Sequence, residues 1–540
     1  MPSTSTSPTG KWERTNLRLP AIQNHTNDSA TIAASQEYYL CLPMHMPPTL
    51  TTLDSSSSNI IADDDDDRTN ENNNRTPISQ HEHSIALDHV DLDLDRYLSS
   101  LPQLAPSTRQ LLHHHHSNNQ QQQQQHKLIT STNSGRIINV LQGEMAHCTP
   151  AQADVLVSDD ATTCHILGLW SCCCSSGEGE GTSSNSVCDI GDSRARDVLT
   201  RTDGSKLKLA TVAHIDGPGY DNCIRDAIDL HYQYHSSQLQ LSSSSQQQQK
   251  TQLNRDNDND NDTTTTLPII QLSIHLMGGY NDNDGTSLEI TEGVLRALSN
   301  VSNDYVNIQQ QQQQQQQQER QERQEQQQEL QMQLILQTCA VSSSNDNGSG
   351  CPIGRGLALD VNSGTVYLAE VQEQEEDVES SSSSIITSSA QGPDCLLRQT
   401  RLWASFLFEF DDSHNDDTHK NKRKLQIIHH PNDNYLYISP FYFAPHPFPH
   451  RMLALNDASL LQYTSSSPEV EKDNFVRHVR ETFWFMNRTS CFHVFQKKTK
   501  KAGENDKDEE EDGWHFRWED KDYLPRRYRR VGLNGWAAVT

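Results

Sequence analysis

Apolar side chains are scarce in this chain. Hydrophobic residues fill 33% of its 540 positions and aromatic ones 6%, too few to build one core over the whole length. No window approaches the ~18 consecutive apolar residues a membrane helix needs, so no membrane partner is expected. Cations are few as well. The 43 Lys and Arg stand against 72 Asp and Glu, a formal charge of −29, and the basic face of a nucleic-acid binder is missing. The opening residues, Met1-Pro2-Ser3-Thr4-Ser5, lack the charged start and apolar core of a secretory signal. With no export route visible, the 12 cysteines are expected as reduced thiols in the cytoplasm, with the nucleus as a second compartment.

Metal-ligand spacing is lacking too. Cys172-Cys173-Cys174 with Cys188 cannot all point at one ion, and no repeated Cys-x₂₋₄-Cys pattern exists. The four adjacent histidines His113 to His116 read as low complexity. The Asn/Asp run 256–262 has neither the turn glycine nor the closing glutamate of a calcium loop. No metal or cofactor is called for.

What is abundant is Gln, Ser, Asn and Asp in tracts that bury too little apolar surface to offset their ordering entropy. These tracts divide the chain. Residues 1–84 are expected to be disordered, apart from a short strand or docking element at 38–42. Residues 85–520 are expected to form a single domain carrying disordered inserts near 113–130, 171–195, 237–266, 309–329, 373–392, 411–422 and 498–512. A basic tail follows at 521–540, and the clusters 497–501 and 526–530 read as exposed segments that could serve nuclear import.

Between the inserts, strands are predicted at 136–141, 154–157, 207–213, 267–277 and 331–341, with a hairpin joining 356–361 to 365–371. Helical spacing occurs at 221–233, at 286–298, which the tract 309–329 either extends or leaves to float free, at 475–486, and in short pieces within 87–112, where prolines interrupt. Edge strands are expected at 402–410 and 425–428, an aromatic and proline-rich loop at 441–448, and a last hairpin from 492–495 and 514–518. The sum is an α+β domain rich in short strands with a few helices.

One stretch carries chemistry. In Ser158-Asp159-Asp160-Ala161-Thr162-Thr163-Cys164-His165 a cysteine stands between a hydroxyl- and carboxylate-rich approach and the apolar run 166–170, which suggests a thiol at the edge of a buried strand. Cysteine attacks as thiolate, and an imidazole can take its proton and form an ion pair with it. His214, in Ala213-His214-Ile215-Asp216-Gly217 where a strand gives way to a turn, is the candidate partner. Both residue types also occur simply packed in cores, and spacing alone leaves the pairing open.

These two segments resemble the eukaryotic protein N-terminal asparagine amidohydrolases, which convert an N-terminal Asn to Asp. Further blocks match in the same order: Ile274-His275-Leu276-Met277-Gly278-Gly279-Tyr280, 356–361 running to Val366-Tyr367, Ile438-Ser439-Pro440-Phe441-Tyr442, 445–450 and 475–480. The resemblance covers roughly 85–520. Together with a looser likeness to bacterial chemoreceptor glutamine deamidases and necrotizing-factor toxins, it implies a mixed β-sandwich with a Cys–His pair.

On that resemblance Cys164 is the nucleophile and His214 the general acid and base. Ser158 orients His214, by analogy with a hydroxyl residue at that spacing in the bacterial deamidases. Thr162 or Thr163 is a candidate to join the Cys164 N–H in the oxyanion hole. A carboxylate should hold the α-ammonium of the substrate; Asp159, Asp160, Asp216 and Asp282 are unranked candidates, and His275 and the loop 445–450 are candidates for the pocket wall. The partners implied are proteins with a free N-terminal Asn, which arginylation would then mark for destruction in the N-degron pathway; the enzyme is expected to act as a monomer. Two alternatives stand beside this: a thiol amidase of internal Gln or Asn, and a non-catalytic interaction scaffold. Alkylation of Cys164 faster than the other cysteines near neutral pH is the sign expected of the enzyme, and equal labelling that of the scaffold.

Overall fold

The computed structural model describes residues 12–20, 38–43, 94–104 with 108 and 111, 127–129, 135–174, 207–253 except 218, 269–319 except 281, 283 and 284, 330–346, 352–371, 392–408, 424–497 and 522–539 except 534. The first half contains β1 (Trp12–Leu19), β2 (Tyr38–Pro43), α1 (Leu94–Ser100), β3 (Lys127–Ile129), β4 (Ile137–Asn139), β5 (Glu144–Cys148), β6 (Val155–Ala161), β7 (His165–Cys174) and β8 (Lys208–Ile215). Next come α2 (Asp221–Leu253), β9 (Ile269–Gly278), α3 (Thr286–Glu319), β10 (Gln331–Val341), β11 (Arg355–Asp360) and β12 (Val366–Val371). The last part holds α4 (Cys395–Phe408), β13 (Gln426–His429), β14 (Tyr435–Ile438), α5 (Pro447–Leu453), α6 (Asp457–Thr464), α7 (Phe475–Arg488), α8 (Cys491–Val494), β15 (Arg526–Val531) and β16 (Gly535–Val539).

Two sheets result, as the α+β sandwich expectation requires. The larger has 11 strands in the order β16-β15-β14-β13-β5-β8-β7-β9-β10-β1-β2, and the smaller has 5 in the order β3-β12-β11-β6-β4. At the centre of the large sheet β7 pairs antiparallel with both β8 and β9. Its side chains alternate because a strand has period two. Ile166, Trp170 and Cys172 enter the core between the sheets, with Leu156 of β6 and Leu357 and Leu359 of β11. Leu167, Leu169 and Cys173 point the other way, onto Ile224, Ala227 and Ile228 of α2 and Ile290, Val294 and Leu298 of α3. With both faces covered, β7 reads as a nearly unbroken apolar run.

A helical group closes the side of the sandwich. Leu397 and Ala404 of α4, Leu460 of α6 and Val479, Phe483 and Met486 of α7 join the inter-sheet core. Positions 479, 483 and 486 form one stripe at the helical repeat, and each such side chain contributes roughly 1.5–3 kcal/mol on burial.

Several expectations change. The region 1–84 is not structureless throughout: β1 pairs parallel with β10 and antiparallel with β2 at one edge of the large sheet. The 521–540 segment is no tail, since β15 and β16 form the other edge, with Tyr528 and Trp536 buried inward. Arg526 of that basic cluster pairs with Asp394 at 3.1 Å, and Arg530 lies 4.4 Å over the Trp536 ring. Ser171 to Cys174 continue β7 instead of opening a loop. Helix α2 runs to Leu253 and α3 to Glu319; neither segment contains proline, and only Gly293 interrupts, so nothing in the sequence stops them. Residues 402–408 belong to helix α4, whose buried Leu397, Thr400 and Ala404 keep helical spacing. The strand at 425–428 is confirmed as β13 but is interior, between β14 and β5. Residues 491–494 are helical. The tract at 113–116 and the predicted strand at 514–518 lie outside the described residues, as do the inserts at 373–391, 411–422 and 498–512.

Candidate active site

Strand β6 belongs to the small sheet and β7 to the large one, so residues 162–164 are the crossing between them. Two glycines clamp that crossing. The Gly279 N–H donates to the Cys164 carbonyl at 2.8 Å. A Cβ on Gly279 would stand 2.6 Å from the His165 ring, and both Gly278 (φ +112°) and Gly279 (φ +66°) adopt backbone that side chains disfavour. The absence of a Cβ at both positions permits this close backbone approach.

Parity places the thiol and the imidazole. His214 is opposite Ile166 in the β7–β8 register, and both point between the sheets, as Ala210 and Val212 do. Cys164 precedes Ile166 by one full period and so lies on the same face. Both residues line a cleft of about 610 Å³, where Cys164 is 8% and His214 3% exposed. His165 takes the opposite face, its Nε2 2.7 Å from Thr291 Oγ1 of α3.

Ser158, facing inward from β6, fixes the imidazole. Its hydroxyl donates to the Val140 carbonyl at 2.7 Å and lies 2.8 Å from His214 Nδ1. A hydroxyl has one proton. Once that proton is given to Val140, Ser158 can only accept from Nδ1–H, which leaves Nε2 with the lone pair. That Nε2 is buried and, among the described residues, has no hydrogen-bond partner.

Burial disfavours charge on both groups. It pushes the Cys164 thiol up to about 12, aided by the charge of Asp216 and opposed by a hydrogen bond from Thr163. It pulls His214 down to about 4. The resting pair is therefore thiol and neutral imidazole, not the ion pair expected from sequence, because desolvation outweighs any attraction between two charges in this pocket.

The carboxylates sort themselves. Asp159 Oδ2 accepts from Lys472 at 2.7 Å and from the Val371 N–H at 2.8 Å, while its Oδ1 accepts from the Asp160 N–H. Asp160 Oδ1 lies 3.0 Å from the same Lys472. Asp216 lines the cleft and accepts a hydrogen bond from the Tyr220 hydroxyl. Glu471 lines it as well, bonded by the Ser465 hydroxyl, and with Asp216 it is the anion the Cys164 thiol feels. Thr162 and Thr163 are on the cleft wall, and Trp403, Phe406, Tyr463 and Phe475 form its apolar side.

Two candidates lie elsewhere. His275 is buried between the sheets with Nδ1 3.1 Å from Thr338 Oγ1. Asp282 accepts from the Ser287 N–H at 3.2 Å in the first turn of α3, the usual work of an aspartate at a helix start. Both are absent from the cleft lining, and so is the loop 445–450, where His446 caps α5 through the Phe448 N–H. Glu471, Lys472 and Arg398 line the cleft without having been foreseen. They arrive from the far C-terminal half, on segments with no motif of their own.

A sandwich-built α+β enzyme of the amide-hydrolysing class is what the fold and the comparisons define. The family model described as protein N-terminal asparagine amidohydrolase matches residues 127–243 and 246–515, and the chain belongs to that family. It is similar to the human protein N-terminal asparagine amidohydrolase, with 21% identity over 357 residues that span 65% of this chain and 75% of the human protein.

Proposed function

We propose that this enzyme hydrolyses the side-chain amide of an N-terminal Asn through a thioester on Cys164. The observation that carries the mechanism is His214 Nε2, buried without a hydrogen-bond partner among the described residues, in the cleft that also holds the thiol. Because the resting pair is neutral, the proton moves from Sγ to Nε2 as the sulfur attacks the carboxamide carbon. The Cys164 N–H, with the Thr162 or Thr163 hydroxyl, stabilises the oxyanion. His214, its Nδ1–H held by Ser158, gives the proton to the leaving nitrogen, and ammonia departs. A water then enters, His214 takes its proton, and hydroxide cleaves the thioester to release Asp and the thiol.

Selection for a chain terminus needs a carboxylate for the α-ammonium, which sits on the carbon next but one to the carboxamide carbon. Asp159 and Asp160 share Lys472. Asp216 is the strongest source of negative charge at the thiol, and we assign it the ammonium, with Glu471 behind it. An internal Asn brings no ammonium to this carboxylate and so forgoes the charge-assisted contact that a terminal Asn makes, a difference that supplies specificity.

The substrates are then proteins with a free N-terminal Asn, and the Asp product is the kind of terminus that arginylation reads in the N-degron pathway. Action as a monomer in the cytoplasm, with the nucleus as a second compartment, and without nucleic acid belongs to the same proposal. Mass spectrometry tests it. Peptides with Asn or Gln at the terminus or internally are incubated with wild type, Cys164→Ala and His214→Ala. Deamidation of terminal Asn alone, lost in both variants while they stay folded, is the expected result. Activity in Cys164→Ala removes the thioester, and ammonia release from internal Gln or Asn removes the terminal specificity.

A further inference from the structure

The tautomer of His214 depends on where the Val140 carbonyl points, and that carbonyl lies in the turn 139–144 that leads from β4 to β5. The turn is held by a buried ion pair. Arg398 of α4 and Glu144 of β5 have side chains 1% and 4% exposed. The Arg398 Nε donates to Glu144 Oε1 at 2.9 Å, and its Nη2 donates to the other oxygen and to the Asn139 carbonyl at 2.6 Å. Glu144 Oε2 accepts from the Leu141 N–H at 2.9 Å. The ion pair thus grips the backbone on both sides of Val140. The same turn touches His214 directly, since the Gly143 N–H donates to the His214 carbonyl at 3.0 Å.

We propose that Arg398 and Glu144 are positioning residues for catalysis. Through the turn they aim the Val140 carbonyl, the carbonyl takes the Ser158 proton, and Ser158 is left able only to accept from His214 Nδ1–H. The reactive nitrogen stays unprotonated and turned to the cleft. A planar guanidinium is needed because one fork must reach a carboxylate and a carbonyl together, which an ammonium on a flexible stem does not do. Arg398 also lines the cleft, so the test must separate positioning from contact with substrate. The inference rests on the Cys164–His214–Ser158 mechanism proposed above.

The test uses the full chain and an Asn-initiated peptide, with Arg398→Lys, Glu144→Gln, Ser158→Ala and the Arg398→Lys/Ser158→Ala double variant. Arg398→Lys and Glu144→Gln are expected to lower kcat by about tenfold or more, in the range of an impaired acid–base group, with KM unchanged. In the Ser158→Ala background Arg398→Lys adds no further loss, because the two act along one line. Nitrogen-15 NMR of the imidazole gives an independent reading: wild-type His214 carries its proton on Nδ1, and Arg398→Lys shows a mixture of tautomers. Wild-type His214 protonated on Nε2 overturns the inference even if no variant folds. A raised KM with unchanged kcat overturns it in favour of substrate contact, and multiplied losses in the double variant overturn the shared line. Retained activity in His214→Ala would instead sink the underlying mechanism, a separate outcome.

Discussion

A Cβ placed on Gly278 would stand 2.2 Å from the carbonyl oxygen of Cys164. The nucleophile's backbone therefore occupies space that any other residue would claim. Gly278→Ala is expected to push the 162–164 crossing aside, and a misplacement of ~1 Å at a reacting group costs about 10²-fold in rate. A left-handed alanine adds roughly 1–2 kcal/mol of strain. Steady-state kinetics and a thermal melt check both effects; wild-type kcat in a folded Gly278→Ala protein would show that the crossing yields without harm.

Ser158→Ala leaves Nδ1–H of His214 without its acceptor and the Val140 carbonyl without its donor. The expected result is a kcat about 10²-fold lower, within the range for a general acid–base group, with KM for the peptide unchanged. A single-turnover measurement separates this from slow product release.

Asp216→Asn should move two readouts in opposite directions. Removing the anion relieves one cause of the raised thiol pKa, so Cys164 is alkylated faster at a fixed pH. The same change removes the proposed ammonium partner, so kcat/KM for the Asn peptide falls. Alkylation no faster than wild type would remove Asp216 as a cause of the raised thiol pKa, and an unchanged kcat/KM would remove it as the ammonium partner.

Buried histidines predict an acid-sensitive fold. On the α2 face a chain of hydrogen bonds runs from His235 to Ser171 (2.8 Å), His231 (2.6 Å), Thr211 (2.8 Å) and His147 (2.8 Å). Burial pulls His147 down to about 3 and His235 to about 4, and lowers His231 well below its ordinary value. Unfolded histidines titrate near 6.5, so below about that pH the unfolded chain binds protons that the folded one refuses. Stability is fully present above that point and declines as the pH falls towards the folded values. Urea midpoints measured from pH 7 to pH 5 should fall, and His147→Gln should fall less steeply by one proton. A flat profile would mean these imidazoles are solvated.

The legible parts of the site were those close in sequence to the thiol or alternating on its strands. Cys164 and His214 came from the wording of two short motifs and Ser158 from analogy with a hydroxyl residue at that spacing; the structure lines one cleft with the first two and sets Ser158 against His214. Asp282 and His275 were misplaced for a physical reason: both flank the motif in sequence, but one faces a helix start and the other faces Thr338 between the sheets. Glu471, Lys472 and Arg398 were invisible because long-range packing alone brings α4 and the 465–474 segment over the cleft. The neutral resting state was missed as well. Residue types announce what can ionise, whereas the depth of the pocket decides whether it does. In the fold, the strands that flank the thiol motif and the 356–371 hairpin were found, whereas 402–408, expected as a strand, is helical and β5, β14, β15 and β16 were missed. The long helices were cut short, since their polar glutamine-rich halves offer no apolar stripe to read.

The large sheet ends in β2 on one side and β16 on the other, and both strands fall beyond residues 127–515, the limits of the family match. Trimming the chain to the matched residues for expression would strip β1 and β2 from β10, and β15 and β16 from β14, leaving two raw rows of backbone donors and acceptors. Such rows recruit other chains. The outlying segments thus act as selvedges, finished borders that keep the woven part from joining its neighbours, and a shortened version should be gained at the cost of solubility.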